Sequence, residues 1–302
     1  MIYVKLIGGL GNQLFQIAYA YDLSKKTGKK IIIDSSQYSS YKVRELELDK
    51  LEISKIVSFD KTGQLSKFNR HAKFYRIYQK IVKTVFRSSN FGKSYFYQAL
   101  KIGCLFNFDP HYYKAPSDIK SKSELFLYGY FQSEKYFIDS KAEIKSILKV
   151  TNKPNLKEQY YLDLINANKN IAISLRLGGD YFSCPILNVC DNTYYIKALR
   201  MLVSEINVRN VFVFSDDIDK ARTLLSKEDN INFVYIENMD AVQSLRLMYS
   251  CDNFVIPNSS FSWWGAFLSD NPNKIILSPS RWYNYHCDVN DIFTSEMRLL
   301  DE

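Results

Sequence analysis

The second half of the chain carries the pattern that most narrows its fold. Short apolar runs recur near residues 171–176, 211–215, 232–236, 253–257 and 274–278, and a helical stretch fills each interval. Strands alternating with helices at this pitch predict a parallel, doubly wound sheet. Residues 2–34 show the same unit once: strand IYVKLI, a glycine turn, a helix from about Asn12 to Thr27, Gly28 as its stop, and strand KKIIID. A less regular stretch follows, after which LFLYGYF reads as a strand and SEKYFIDSKAEIKSILKV as a helix. The polar segment VTNKPNLKEQ at 150–159, with Pro154, marks a boundary. The expected fold class is α/β, with one domain over 1–152 that carries a basic helical insertion and a second over 153–302.

Composition removes several classes. Apolar residues at 46% and charged residues at 24% suit a globular chain rather than a disordered or fibrous one. The 23 tyrosines and 20 phenylalanines serve core packing and sugar platforms equally well, so they do not choose between them. Cys104, Cys184, Cys190, Cys251 and Cys287 form no CxxC pair and are odd in number, which argues against a disulfide framework or zinc ribbon and for a reducing compartment. The start, MIYVKLIGGLGNQ, is too poor in apolar residues for a signal peptide, and no run approaches the roughly 20 apolar residues of a membrane span. A cytoplasmic location is expected.

The formal charge of +8 is concentrated, since residues 61–101 hold ten Lys or Arg and no Asp or Glu. Arg70, Lys73, Arg76, Lys80, Lys83 and Arg87 recur at spacings of three and four, while Phe74, Ile77, Ile81 and Val85 mark a neighbouring face. This is a basic amphipathic helix. It fits the solvated face of an ordinary packed helix, or contact of residues 67–87 with an anionic membrane surface or an acidic lipid-linked substrate at the inner membrane face. No recognised nucleic-acid motif accompanies the charge, so no nucleic-acid partner is expected.

Doubly wound sheets bind ligands beyond the carboxyl ends of their strands, and four strand ends here are polar. GGLGNQ at 8–13 is a partial dinucleotide fingerprint: Gly9 and Gly11 are present, but Leu14 stands where the third glycine belongs. Asn12 and Gln13 would open the next helix with amides aimed at a ligand; a tight turn with Asn12 as N-cap is the plainer alternative. In RLGGD, Arg176 either neutralises a pyrophosphate with help from flanking N–H groups or pairs with Asp180 to close a loop. VFVFSDDID ends in Ser215, Asp216 and Asp217, a carboxylate pair that could accept the N–H groups on the edge of guanine or cap the helix near Asp219. In VIPNSSFSWWGAF, Asn258, Ser259, Ser260 and Phe261 open a helix holding Trp263 and Trp264, a place for an anion or for a simple serine cap.

A histidine metal site is not expected, because His71, His111 and His286 stand at no ligand spacing. Asp217-Ile-Asp219 is a literal DxD and would suit a divalent cation on a nucleotide diphosphate. Arg176 and the serine turn already offer charge and donors to the same phosphates, so a site without metal or cofactor is the more economical reading.

Taken together these stretches resemble bacterial α1,2-fucosyltransferases of glycosyltransferase family 11 along nearly the whole chain. The resemblance rests on VKLIGGLGNQLFQIAYA, GYFQSEKYF at 129–137, the arginine run, FSDD at 214–217 and NSSFSWWGAF at 258–267. It implies a GT-B-like fold of two facing Rossmann-like domains, with GDP-fucose held mainly by the second and no metal required. The family pattern is His-x-Arg-Arg-Gly-Asp, whereas here Ser174 replaces the histidine, Leu177 the second arginine, and one residue is added before Asp180. Protein O-fucosyltransferases are similar more distantly, through Arg-x-Gly-x-Asp and a Gly-Asn-Gln turn.

By this resemblance Arg176 and Asn12 are catalytic, and Gly9, Gly11, Gln13, Ser174, Asp180, Asp216, Asp217, Asn258, Ser259, Ser260 and Phe261 face the donor. The implied reaction is inverting transfer of L-fucose from GDP-β-L-fucose to a galactoside hydroxyl. The resemblance names no base; Asp34, at a strand end, and the departing phosphate are the two candidates. Two rivals stand beside it: a metal-dependent nucleotide-sugar transferase built on Asp217 and Asp219, and a non-catalytic basic module that binds membranes or polyanions.

Overall fold

A computed structural model describes residues 1–34, 46–60, 66–85, 90–108, 110–208, 210–284 and 291–301, with the backbone alone at 66, 67, 69, 79–85, 90, 91, 180 and 182. Arg87, His286 and Cys287, and the side chains of Lys80, Lys83 and Asp180, lie outside the described residues. The chain divides into two compact units, Met1–Leu148 and Lys149–Glu302. The polar segment at 150–159 does not itself form the division. Lys149 already belongs to the second unit, donating through Nζ to the Leu268 carbonyl at 2.8 Å and to Asp270 at 3.0 Å, and Asn155 caps the helix that follows by accepting from Glu158 N at 2.9 Å.

The first unit runs β1 (Ile2–Lys5), α1 (Leu10–Thr27), β2 (Ile31–Asp34), β3 (Ser58–Asp60), α2 (Ser66–Val85), α3 (Asn90–Leu100), β4 (Cys104–Asn107), β5 (Leu125–Gly129) and α4 (Lys141–Ile147). Its sheet has the order β3-β2-β1-β5-β4 and is parallel throughout. The expected stop of α1 is present: Gly28 adopts φ 71° and its N–H returns to the Ser24 carbonyl at 2.8 Å. Helices α2 and α3 cover one sheet face, where Phe68, Ala72, Tyr75 and Ala99 pack with Phe106, Phe126 and Tyr128. Phe68 stacks on Phe126 with ring centroids 4.7 Å apart.

The segment read as one helix from Ser133 is broken. It forms short 3₁₀ turns at Glu134–Tyr136 and Ile138–Ser140, and α4 begins only at Lys141. Tyr136 and Phe137 are both buried at this break. Phe137 leaves helical geometry with φ −140° and ψ 25°, while the Tyr136 hydroxyl accepts from Tyr113 N at 3.1 Å.

The second unit runs α5 (Leu156–Ala167), β6 (Ile171–Leu175), α6 (Gly179–Phe182), α7 (Asn192–Ile206), β7 (Asn210–Ser215), α8 (Ile218–Leu225), β8 (Asn232–Tyr235), α9 (Ala241–Tyr249), β9 (Asn253–Val255), α10 (Ser260–Leu268), β10 (Ile276–Pro279) and β11 (Met297–Leu300). Its parallel sheet has the order β11-β10-β9-β6-β7-β8. The α/β class and the strand–helix alternation expected for this half are therefore present, with β11 added at an edge. One core joins Ile171, Ile173, Val211, Val213 and Val255 of the strands to Tyr194, Tyr195, Ala198 and Leu199 of α7. The Trp263 and Trp264 side chains of α10 are fully buried, and Trp263 Nε1 donates to the Ile292 carbonyl at 2.7 Å.

Among the described residues no helix is long and apolar enough to cross a membrane. Gly129, which closes β5, lies against Asn107 of β4 so tightly that a Cβ would overlap the Asn107 backbone. Gly129→Ala is expected to lower stability by about 1–3 kcal/mol through overpacking. A urea titration reads this as a lower midpoint with unchanged slope; an unchanged midpoint would show that the β4–β5 pair yields without cost.

Candidate functional site

In the second unit the carboxyl ends of β6, β7 and β9 carry the polar loops. Strand β6 stops at Leu175, and the chain turns through Arg176, Leu177 and Gly178 into α6. What holds this turn is Asp216, the residue after β7. Its Oδ1 accepts from Leu177 N at 2.7 Å and Gly178 N at 2.9 Å, and its Oδ2 lies 3.3 Å from Arg176 Nε. Arg176 N donates to the Tyr195 hydroxyl at 3.0 Å, and the guanidinium carbon stands 5.7 Å from the Tyr181 ring centroid. The arginine is thus fixed by backbone and side chain, with about a quarter of its side chain exposed. Its described acid partner is Asp216, just after β7; the Asp180 suggested by sequence lies in α6, with its side chain outside the described residues.

Asp217 takes the plainer of its two readings. Its Oδ1 caps α8 by accepting from Lys220 N at 3.1 Å, and its Oδ2 pairs with Lys220 Nζ at 2.8 Å. The Lys220 hydrogen bond holds this carboxyl below the usual carboxylate range. Lys220 Nζ also donates to the Leu177 carbonyl at 3.1 Å, so it braces the same loop from the other side. With cap and ammonium both on Asp217, the Asp217-Ile-Asp219 pair is poorly disposed to offer two carboxylates to a cation.

At the end of β9, Asn258 is a structural knot. Its Oδ1 accepts from the Tyr181 hydroxyl at 2.7 Å, and its Nδ2 donates to the carbonyls of Leu187 at 2.8 Å and Trp282 at 2.9 Å. The amide expected to face a ligand is therefore engaged within the protein. Ser259 is the N-cap of α10, its hydroxyl accepting from Ser262 N and its carbonyl from Trp263 N at 2.9 Å. Ser260 and Phe261 are half-buried residues, and their N–H groups precede the first intrahelical bond, the arrangement that attracts an anion. Ser174, inside β6, shares a 2.7 Å hydrogen bond with Ser262 and is buried. That contact ties β6 to the first turn of α10.

In the first unit α1 begins at Leu10 with Gly9 as N-cap, so Asn12 is neither the cap nor the first helical residue. Gly11 is buried in the first helical turn. The loop before the helix depends instead on Gly8, whose φ of 78° lies in the left-handed region and whose position would bring a Cβ within 2.5 Å of Asn12 Nδ2. Gln13 Nε2 donates to the Gly8 carbonyl at 3.2 Å. Gln16 brackets Ile7, donating to its carbonyl at 2.9 Å and accepting from its N–H at 3.0 Å. Asn12 Oδ1 accepts from Gln132 Nε2 at 2.8 Å, just beyond β5.

Asp34 ends β2 beside Lys5 in register, and both are buried. Burial pulls the Lys5 ammonium below its usual range, while Asp34 opposes that shift and Arg76 of α2 adds to it. Arg76 reaches the same corner by donating to the Tyr128 hydroxyl at 2.6 Å.

Sequence reasoning misses Tyr195, Tyr181, Ser262, Lys220 and Gln132. Gln132 lies in GYFQSEKYF, a stretch whose resemblance singles out no one residue. Tyr195, Tyr181 and Ser262 are ordinary helix positions that meet Arg176, Asn258 and Ser174 only through the fold, while Lys220 stands three residues from Asp217 and its reach to the Leu177 carbonyl is what the sequence hides. Cys104, Cys184, Cys190 and Cys251 are free, and among the described residues no group of three His, Cys, Asp or Glu gathers as a metal site.

Two parallel-sheet α/β units in one chain, with polar loops at their strand carboxyl ends, make a GT-B-like fold. A solved complex of an Arabidopsis thaliana FUT1 variant with GDP shares the fold at a TM-score of 0.54 and 12% identity, over 93% of this chain and 71% of that one. The sequence pattern of Glycosyl transferase family 11 matches residues 1–297, and the chain belongs to that family. An α-1,2-colitosyltransferase of Escherichia coli is 29% identical over 94% of this chain and 92% of its own length. The O-antigen biosynthesis glycosyltransferase WbnK of Escherichia coli is 27% identical over 93% and 95%.

The loop geometry makes a direct prediction. Asp216→Ala removes the acceptor of two backbone N–H groups and the Arg176 pair, at an expected cost of about 1–3 kcal/mol. Amide exchange should quicken at Leu177 and Gly178, while Asp216→Asn, which keeps the Oδ1 acceptor, should protect them largely as the native residue does. Unchanged exchange in the alanine variant would remove Asp216 from this role.

Proposed function

We propose that the chain transfers L-fucose from GDP-β-L-fucose, with inversion, to the 2-hydroxyl of a terminal galactoside in a surface polysaccharide or its lipid-linked precursor. Membership of family 11 limits the chemistry to glycosyl transfer. The observation that carries the reading further is the pre-set guanidinium of Arg176 beyond β6, held by Asp216 and Tyr195. A GDP leaving group needs a fixed cation and N–H donors as negative charge builds on its β-phosphate. Arg176 supplies the first, and the amino end of α10 at Ser260 and Phe261 the second.

In this mechanism the acceptor oxygen forms a bond to C1 as the C1–O bond to the diphosphate breaks, which converts the β-linkage of the donor to α. The hydroxyl proton passes to a carboxylate or to the departing phosphate. Asp34 is the candidate carboxylate, and its burial beside Lys5 favours the phosphate as the alternative. Asn12, held by Gln132, is assigned to the reacting centre. Asp216 and Asn258 act as positioning residues, and Asp180 and Gln13 are kept on the donor side by the resemblance. Ser174 stands where the family pattern has histidine; its bond to Ser262 supports the α10 turn in place of direct contact.

The colitosyltransferase among the relatives favours a second donor. Colitose is L-fucose without its 3-hydroxyl, so the same leaving-group apparatus would serve either GDP-sugar.

The test is incubation with GDP-β-L-fucose and with GDP-colitose against a panel of galactosides, with product linkage assigned by NMR. An α1→2 fucoside is expected; faster turnover of GDP-colitose would replace the donor, and another linkage would replace the acceptor position. Excess EDTA should leave activity unchanged, and its loss would restore the metal-dependent reading on Asp217 and Asp219. Arg176→Lys should lower kcat on the order of 10²-fold, because an ammonium cannot reproduce the planar guanidinium fork. Near-normal turnover of that variant would remove Arg176 from leaving-group stabilisation.

A further inference from the structure

Helix α2 has two apolar faces. Phe68, Ala72 and Tyr75 are buried on the sheet. Phe74 and Ile77 point the opposite way and are 62% and 47% exposed. At about 100° per residue, Arg70, Lys73, Phe74 and Ile77 share one stripe of the helix. Arg70 and Lys73 are exposed as well. Helix α3 meets α2 through Tyr95, whose ring lies 4.9 Å from that of Tyr75, and the turn after it exposes Lys101 and Ile102.

An ordinary solvated helix face has no reason to show a phenylalanine and an isoleucine bracketed by cations. A surface that pairs apolar insertion with anionic attraction has both reasons. The electrostatic side is strong: residues 61–101 carry ten basic and no acidic residues. A protein partner of mixed charge would meet no acidic residue along this segment, whereas an anionic bilayer complements it throughout.

We propose that the Arg70–Lys73–Phe74–Ile77 stripe of α2 docks the protein on an anionic lipid bilayer, with Phe74 and Ile77 entering the headgroup–acyl boundary and the cations meeting lipid phosphates. The contact is peripheral and reversible. It does not depend on the donor or acceptor, so it is measured without either and stands or falls apart from the transfer reaction.

The experiment is co-sedimentation of the full chain with phosphatidylcholine vesicles and with vesicles containing about 30 mol% phosphatidylglycerol. Binding is expected on the anionic vesicles alone, weakening with added salt. Arg70→Gln with Lys73→Gln should weaken it roughly 25-fold, at about fivefold per cation. Phe74→Ser with Ile77→Ser should weaken it roughly tenfold or more. Both double variants should keep the native circular dichroism and thermal midpoint, since the altered side chains are exposed. Absence of binding to anionic vesicles overturns the proposal, as does binding unaffected by either variant. Loss of a dimer in the Phe74/Ile77 variant, without vesicle binding by the native chain, would assign the stripe to a second copy. Equal affinity for a DNA fragment, insensitive to the Phe74/Ile77 change, would assign it to a polyanion.

Discussion

The loop after β6 has no regular backbone partner of its own, and the Asp216 carboxylate supplies one. One oxygen gathers two successive N–H groups and the other faces the guanidinium, so three donors converge on a single side chain from the neighbouring strand. Charge-assisted bonds of this kind are about twice as strong as neutral ones. Lys220 closes the arrangement by holding the Leu177 carbonyl. The position of Arg176 is therefore set by the β6–β7 pairing, before any ligand arrives. A cation placed in advance needs no reorganisation when charge develops beside it.

The same economy governs the neighbouring strand. Asn258 fixes Tyr181 and, through two carbonyls, the segments around Leu187 and Trp282. The Tyr181 hydroxyl in turn accepts from Val189 N at 3.0 Å and Cys190 N at 2.8 Å. Burial pushes the Tyr181 phenol well up, so it stays protonated and able to donate to Asn258. Nearby, the buried Ser174 hydroxyl meets that of Ser262 and ties β6 to the α10 turn.

Much of this was legible in the sequence. Apolar runs in the second half marked their strands because buried parallel strands read as nearly continuous hydrophobic stretches, and Gly28 marked its helix end. The edge strands β3, β4 and β11 were missed: SFD and MRLL are short and partly exposed, and CLFN is buried but only four residues long within a stretch read as irregular. Strand ends were the right place to look for polar groups, but the division of labour among them was not readable. Asp216, Asp217 and Asn258 carry local signals for caps and ligands alike, and the partners that hold them lie 38–39, 3 and 24–77 residues away. Only tertiary structure chooses among such partners. The glycine turn shows the same limit: Gly9 and Gly11 fit a familiar fingerprint, while the backbone strain falls on Gly8.

Helix α2 shows where periodicity loses its meaning. Spacing of three and four identifies a face but carries no sign that says which way the face points. Phe74 and Ile77 fit an inward stripe as well as Phe68, Ala72 and Tyr75 do, and the aromatic sheet beneath decides the matter, because Phe126 and Phe106 offer stacked partners to Phe68 and Tyr75. Once that face is taken, the second apolar pair is left outside among cations. Arg76, between the two stripes, turns toward Tyr128 and the Lys5–Asp34 corner. One basic residue of the helix thus serves the interior of the first unit, and the excess charge available to an outside surface is the remainder, centred on Arg70 and Lys73.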